Sequence, residues 1–394
     1  MRGRVAVAVL LWASLAGAQS SSLETAWRLV AEGKRPEAVA LLKSLVAQDS
    51  RNADARLLLG SLLMEAGQRS ESIAQLSEAV RLRPKSAEAH NALGEAYNAF
   101  GETKSALPEF ERAVALDPRH AQAHVNLAAA LLEQGDAHSA KPQLDQAIQL
   151  FGDKPDASYA RYLRAKIFSE QRDLEKAAAD LERAVALDPG LAEAWSDLGE
   201  ARKNLGDDDG ALAAYRKAVE LRPDDAVAQT RLGSKLLESG KPGEAIPHLE
   251  HAVRLDPQNQ SALNALQRGL RQSGQTEKAD AVKKRLAEML VERDRADQNI
   301  TAALELNNRG AELEKNGDVK GALEKYRAAA NLEPEHVGIQ VNFAVALLKL
   351  GYWSEGITQM RSALQRDPDN AQLKQAFADA LAQAKAHGIV LPKP

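Results

Sequence analysis

The sequence predicts an all-α solenoid of about ten helix-turn-helix units closed by a C-terminal capping helix. A phrase recurs at a fixed interval: Ala87-Glu88-Ala89-His90-Asn91-Ala92-Leu93-Gly94 returns thirty-four residues on as Ala121-Gln122-Ala123-His124-Val125-Asn126-Leu127-Ala128. It returns again as Ala192-Glu193-Ala194-Trp195-Ser196-Asp197-Leu198-Gly199. Glycine occupies unit position 15 in nine of the ten units phased this way, which marks a repeated turn. An apolar content of 44% supplies a packed interior and argues against disorder.

The elements follow in chain order. Arg2 and Arg4 precede an apolar run from Val5 to Leu15, and Ala16-Gly17-Ala18 then presents small residues at the two positions a signal peptidase reads. A signal peptide over residues 1–18 is expected, cut between Ala18 and Gln19. The run is too short for a spanning helix, which needs about 20 apolar residues. Because Gln19 rather than Cys follows the cut, a bacterial-type lipid anchor is not expected. The mature chain is expected to be exported, periplasmic or secreted, and soluble.

Units then begin at 19, 53, 87, 121, 158, 192, 226, 260, 303 and 337. In nine of them, position 15 glycine closes a first helix through a left-handed residue. Position 8 is Gly or Ala in nine units, and positions 20 and 27 are each Ala in eight. Large apolar residues at 7, 11 and 24 face those small ones as knobs into holes. Position 32 is Pro in seven units, as in Asp117-Pro118 and Asp188-Pro189; it ends the second helix by disfavouring helical geometry in the residue before it.

This pattern resembles the tetratricopeptide repeat, whose signature places Trp-Leu-Gly-Tyr in the first helix and Ala-Phe-Ala-Pro in the second. Unit 87–120 carries Leu93, Gly94, Tyr97, Ala106, Phe110, Ala113 and Pro118, with His90 in place of the Trp. Unit 192–225 keeps Trp195, Leu198, Gly199, Ala211, Tyr215, Ala218 and Pro223, with Arg202 where Tyr is usual. The resemblance covers nearly all of the mature chain and implies a right-handed superhelix.

Departures mark boundaries. Unit 158–191 follows a three-residue insertion, 155–157, and has Arg172 where glycine is expected. Unit 260–293 is degenerate, with Gln267 at position 8, Lys283 at 24 and Val291 where Pro should stop the helix. An extended second helix through Val282, Leu286 and Leu290 is expected there, then a hinge at Asn299 to Thr301. The array is thus expected to run over 19–293, with a linker at 294–302, two further units over 303–370, and a capping helix and tail over 371–394.

Composition narrows the function. Basic residues number 51 against 55 acidic, a net charge of −4, and loss of Arg2 and Arg4 makes it −6; signs are mixed throughout, so there is no basic footprint for nucleic acid. Cysteine is absent, which excludes disulfides and thiolate metal sites. No phosphate-cradling loop, H-E-x-x-H or G-x-S-x-G is present, so no enzyme and no cofactor is expected. His120 with His124, and His248 with His251, have helical spacing but no third ligand nearby, and no metal is expected. Asn299-Ile300-Thr301 is a glycosylation sequon if the source is eukaryotic.

The resemblance points instead to a concave groove, lined by positions 2, 5, 9 and 12 of the first helices. A clamp for chaperone tails would need Lys and Asn where Asn91 and Glu95 stand. An asparagine ladder would need Asn at successive position 6 residues, but these read Leu58, Ala92, Asn126, Leu163, Asp197, Arg231, Ala265, Asn308 and Asn342. Unit 158–191 stands out, with Tyr159, Tyr162, Lys166 and Ser169 facing inward in a chain with 4% aromatics. Val125, Ala129 and Leu132 flank them on one side, and Ser196, Glu200 and Lys203 on the other. Tyrosine suits a binding hot spot because it buries area and keeps a polar end; the competing reading is that both fill space beside the insertion. A scaffold for a peptide or partner protein is expected. The alternative is an accessory of bacterial envelope polysaccharide export or assembly, whose groove would serve a glycan or a secretion component. Apolar and aromatic inward residues mark the first; a strip of aromatics and carboxylates marks the second.

Overall fold

The computed structural model describes residues 19–389; the expected signal segment and residues 390–394 lie outside them. The described residues form two compact units, one ending at Leu255 and one beginning at Asp256. The first holds α1 (Gln19–Ala31), α2 (Arg35–Gln48), α3 (Ala53–Glu65), α4 (Arg69–Leu82), α5 (Ala87–Ala99), α6 (Thr103–Leu116), α7 (Ala121–Glu133), α8 (Ala137–Phe151), α9 (Ala157–Glu170), α10 (Leu174–Leu187), α11 (Ala192–Asn204), α12 (Asp208–Leu221), α13 (Ala226–Glu238) and α14 (Pro242–Leu255). The second holds α15 (Gln260–Gln272), α16 (Thr276–Lys315), α17 (Val319–Leu332), α18 (Val337–Lys349), α19 (Trp353–Arg366) and α20 (Ala371–Ala386). Among the described residues there is no strand.

Each turn inside a repeat is made by backbone geometry. All nine position 15 glycines have φ between 71° and 86°, in the left-handed region. No atom crowds the space where a Cβ would stand, so the conformation selects glycine there. Arg172, at the same position, adopts φ 63° and carries the steric cost that glycine avoids.

Helix pairing rests on positions 8 and 24. A Cβ added to Gly199 would lie 2.6 Å from the Tyr215 ring, and one added to Gly94 would lie 2.6 Å from Phe110. The missing side chain lets the ring lie against the facing backbone. Tyr215 and Phe110 are each 1% exposed as a result. In unit 53–86 Ser72 replaces the usual Ala at position 20, and its buried hydroxyl donates to the Gly60 carbonyl at 2.8 Å.

Successive repeats are tied by position 4. Trp195 Nε1 donates to the Pro189 carbonyl at 3.0 Å. His90 and His124 reach the Pro84 and Pro118 carbonyls through Nε2 at 3.2 and 2.9 Å, and Gln229 reaches Pro223 at 2.7 Å. These polar residues therefore replace the signature Trp by keeping its hydrogen bond. Of the histidine pairs weighed for metal, His124 makes this bond, His251 Nε2 lies 3.4 Å from Asp224 Oδ1, and the other two meet other groups. His120 Nδ1 caps α7 by accepting from Ala123 N, and His248 Nδ1 meets Gln229. No cluster of three potential metal ligands occurs among the described residues.

The stretch 294–302, expected as a linker with a hinge at Asn299–Thr301, is helical. α16 runs without a break for 40 residues and joins the second helix of unit 260–293 to the first helix of unit 303–336. The reason is local: with Val291 in place of the terminating Pro, and no glycine or proline from 276 to 309, nothing stops the helix. α20 caps the array, burying Leu373, Ala380 and Ala384 against Ile357, Met360 and Ala363, and Ile389 packs on the same cluster.

Arg172→Gly is expected to stabilise the protein by about 1 kcal/mol through relief of the left-handed conformation, read as a raised denaturation midpoint. Ala211, fully buried between paired helices, has no room to grow. Ala211→Leu should cost about 1–3 kcal/mol in the same measurement.

Candidate functional site

The inward face of the first unit is built from α5, α7, α9, α11 and α13. On α9, Tyr159 and Tyr162 stand close together, their ring centroids 6.0 Å apart and tilted by 33°. Lys166 lies one turn further along, its Nζ 5.9 Å from the Tyr162 ring centroid. It has no carboxylate partner among the described residues. Ser169 continues the row and is exposed. The residues of this row share one face because their spacing alternates three and four.

The two tyrosines differ in how they are held. Tyr159 is 40% exposed. Tyr162 packs against the core clusters on both sides of α9, one built on Val125, Leu144 and Ile167 and the other on Leu181, Leu198 and Ala201. Tyr162 thus joins two repeats as well as facing the groove. Burial raises the Tyr159 hydroxyl pKa, and the Glu193 and Glu133 carboxylates add to it. Burial also pushes Tyr162 well above its ordinary value, reinforced by Asp197 and Glu193. Both hydroxyls remain neutral donors.

On α11 and α13, Arg231 donates to Ser196 Oγ at 2.7 Å and to Asp197 Oδ1 at 2.8 Å. Glu200 accepts from the Tyr215 hydroxyl at 2.8 Å and pairs with Lys203 at 2.7 Å. Burial opposes ionisation of Glu200, but these donors outweigh it and hold its pKa below the ordinary value. Glu193 pairs with Arg222 through Oε1 at 2.6 Å, while its buried Oε2 has no hydrogen-bond partner.

On α5 and α7, Asn126 Nδ2 donates to Asn91 Oδ1 at 2.9 Å and to Glu95 Oε1 at 2.7 Å. Asn91 Nδ2 also donates to Glu95, at 3.0 Å. Burial nonetheless raises the Glu95 pKa.

The inward positions divide. Val125, expected in the groove, is 2% exposed and belongs to the core, as position 5 there lies on the seam between adjacent first helices. Asn91 and Ser196 are also buried and act through hydrogen bonds to the next repeat. Leu132 and Ala129 are half-buried against the same core as Val125. Sequence reasoning passed over Arg231, Asp197 and Glu193. The signal lay in the position 6 series: Asn126, Arg231 and Asn342 each reach a position 5 residue thirty-five earlier. A discontinuous polar ladder therefore exists where a pure asparagine one does not.

Models of the tetratricopeptide repeat match residues 29–96, 87–130 and 307–371, and match three overlapping stretches that together cover 125–260. The chain is a tetratricopeptide repeat protein. Arrays of this family are protein-interaction scaffolds, and this repeat protein has their helix-pair packing. Among solved structures it is similar to one from a characterisation of Pseudomonas aeruginosa pilF, at 20% identity and a TM-score of 0.51, covering 55% of this chain and 98% of that one. A tetratricopeptide repeat protein from Parabacteroides merdae matches at 15% identity and TM-score 0.47, covering 64% of this chain and 98% of that one. YrrB, described as having an unusual peptide-binding site, matches at 21% and 0.39, covering 48% and 95%. No curated protein matches by sequence.

A carboxyl whose folded pKa is raised stabilises the fold while protonated and loses that contribution as pH climbs through the raised value. Glu95→Gln should therefore gain on the wild type as pH rises from below to above the ordinary carboxylate range. Denaturation of both proteins across that range checks the sign, and a constant difference would assign Glu95 no titration of its own.

Proposed function

We propose that the repeat protein is a non-catalytic scaffold that binds an extended segment of a partner protein across α7, α9 and α11, centred on Tyr159 and Tyr162. The observation that supports this reading most is the row of the exposed Tyr159, Tyr162 and Lys166, a cation with no carboxylate partner among the described residues. Tyr159 offers open ring surface for an apolar side chain, and the Lys166 ammonium is left for a carboxylate of the ligand. The proposed setting is an exported compartment, following the N-terminal targeting pattern. Among the described residues no helix is long and apolar enough to cross a membrane.

A second reading, glycan handling in bacterial envelope assembly or export, draws on the carboxylates around the tyrosines. It is the weaker one because those carboxylates are largely engaged. Asp197 is tied to Arg231, Glu133 to the Thr103 hydroxyl and Glu193 Oε1 to Arg222. Sugar hydroxyls would find few free acceptors.

A peptide array probed with the mature chain should favour sequences that combine an apolar or aromatic residue with a nearby acidic one. Tyr159→Ala should weaken the best peptide by about 2 kcal/mol without loss of folding stability. Lys166→Ala should slow association and reduce its salt dependence. Tyr162 is best tested as Tyr162→Phe, which keeps the ring that two repeats pack against. Unchanged affinity in Tyr159→Ala would move the site elsewhere, and binding of oligosaccharides in preference to every peptide would favour the second reading.

A further inference from the structure

Helix α16 carries an open face between its two packed ends. From Asp280 to Ala302, no residue is buried, although Ala279 before the stretch and Ala303 after it are fully buried. A helix with no buried residue over this length would be expected to be polar all round. This one is not. Val282, Leu286, Met289, Ala296 and Ile300 recur at alternating intervals of four, three, seven and four, with Arg293 filling the missing step. That is a heptad seam, the spacing by which one helix recognises another. Ile300 is 40% exposed and the three large apolar residues before it are half-buried.

The seam reads the same from either end. Turned about residue 291, Val282 meets Ile300, Leu286 meets Ala296, and Met289 meets Arg293. The charges share this symmetry with opposite sign. Lys283, Lys284 and Arg285 outnumber Asp280 and Glu288 in the first half, whereas Glu292, Asp294 and Asp297 outnumber Arg293 and Arg295 in the second. In a second copy running antiparallel, Lys283 faces Asp297 along the edge of the seam, and each basic half lies on an acidic half. A parallel copy would set like on like.

We propose that α16 is a homodimerisation helix, and that a second copy of this chain covers its open face as an antiparallel two-stranded coiled coil centred near Val291. The interface is independent of the groove reading, since it uses no residue of α5 to α13. Arg293 in the seam lowers affinity and fixes register, as a single polar residue in such a position does.

Analytical ultracentrifugation of the intact chain is expected to show a reversible dimer. Ile300→Glu should weaken it by at least about tenfold, since an apolar contact is lost and a charge enters the seam, with helical content unchanged because the residue is exposed. Lys283→Glu and Asp297→Lys should each weaken the dimer, by about fivefold, and mixing the two variants should restore it. The chain has no cysteine, so spin labels on single cysteines report orientation directly. A label at 283 should lie close to one at 297 of the other copy and far from one at 283. A monomer at every concentration, a dimer indifferent to Ile300→Glu, or a short 283–283 separation would each overturn the proposal.

Discussion

The close approach of two helices at a small residue governs this protein. Where position 8 is glycine, the position 24 side chain lies against bare backbone, and an added methyl would stand 2.5–2.7 Å from it at Gly60, Gly94, Gly199, Gly233 and Gly310. Real Cβ contacts do not approach so closely, so the helix pair would have to separate. Separation would move the second helix away from the next first helix, because both faces of each helix are in use. Leu181, Ala184 and Val185 of α10, for example, pack in one cluster with Ala194, Leu198 and Ala201 of α11. The spacing of the inward faces follows from this one distance.

The same rule explains the repeat that departs from it. In unit 260–293 the pair is Gln267 with Lys283, two polar residues that gain nothing from close packing. The terminating proline is missing as well. Propensity then prevails over repeat geometry, and the helix extends until Gly317 closes it with φ 86°. Repeats contact only their neighbours, so one weak unit can be tolerated without loss of the others.

On the inward face, packing and recognition compete for the same positions. Tyr162 belongs to both, since its ring joins two core clusters while Lys166 lies over it. Arg231 shows the polar form of this compromise. It fastens α13 to α11 through Ser196 and Asp197, and in doing so withdraws Asp197 from any ligand. What stays open to a partner is what the ladder leaves over: the Tyr159 ring and the Lys166 ammonium.

The sequence by itself determined the repeat. Glycine at position 15, alanine at 20 and 27 and proline at 32 act through local sterics, so their meaning does not depend on distant residues. From α3 on, the first helices accordingly begin where the phasing puts them, with α9 one residue early at Ala157, except in unit 303–336, whose first helix is the continuation of α16. Tertiary structure decided what the periodicity could not. Whether an inward residue faces solvent or a seam depends on the neighbouring helix thirty-four residues away, which is why Val125 and Ser196 are buried while Tyr159 is open. Sequence spacing gives the direction of a side chain from its own helix axis; only the packed neighbour fixes what that direction meets.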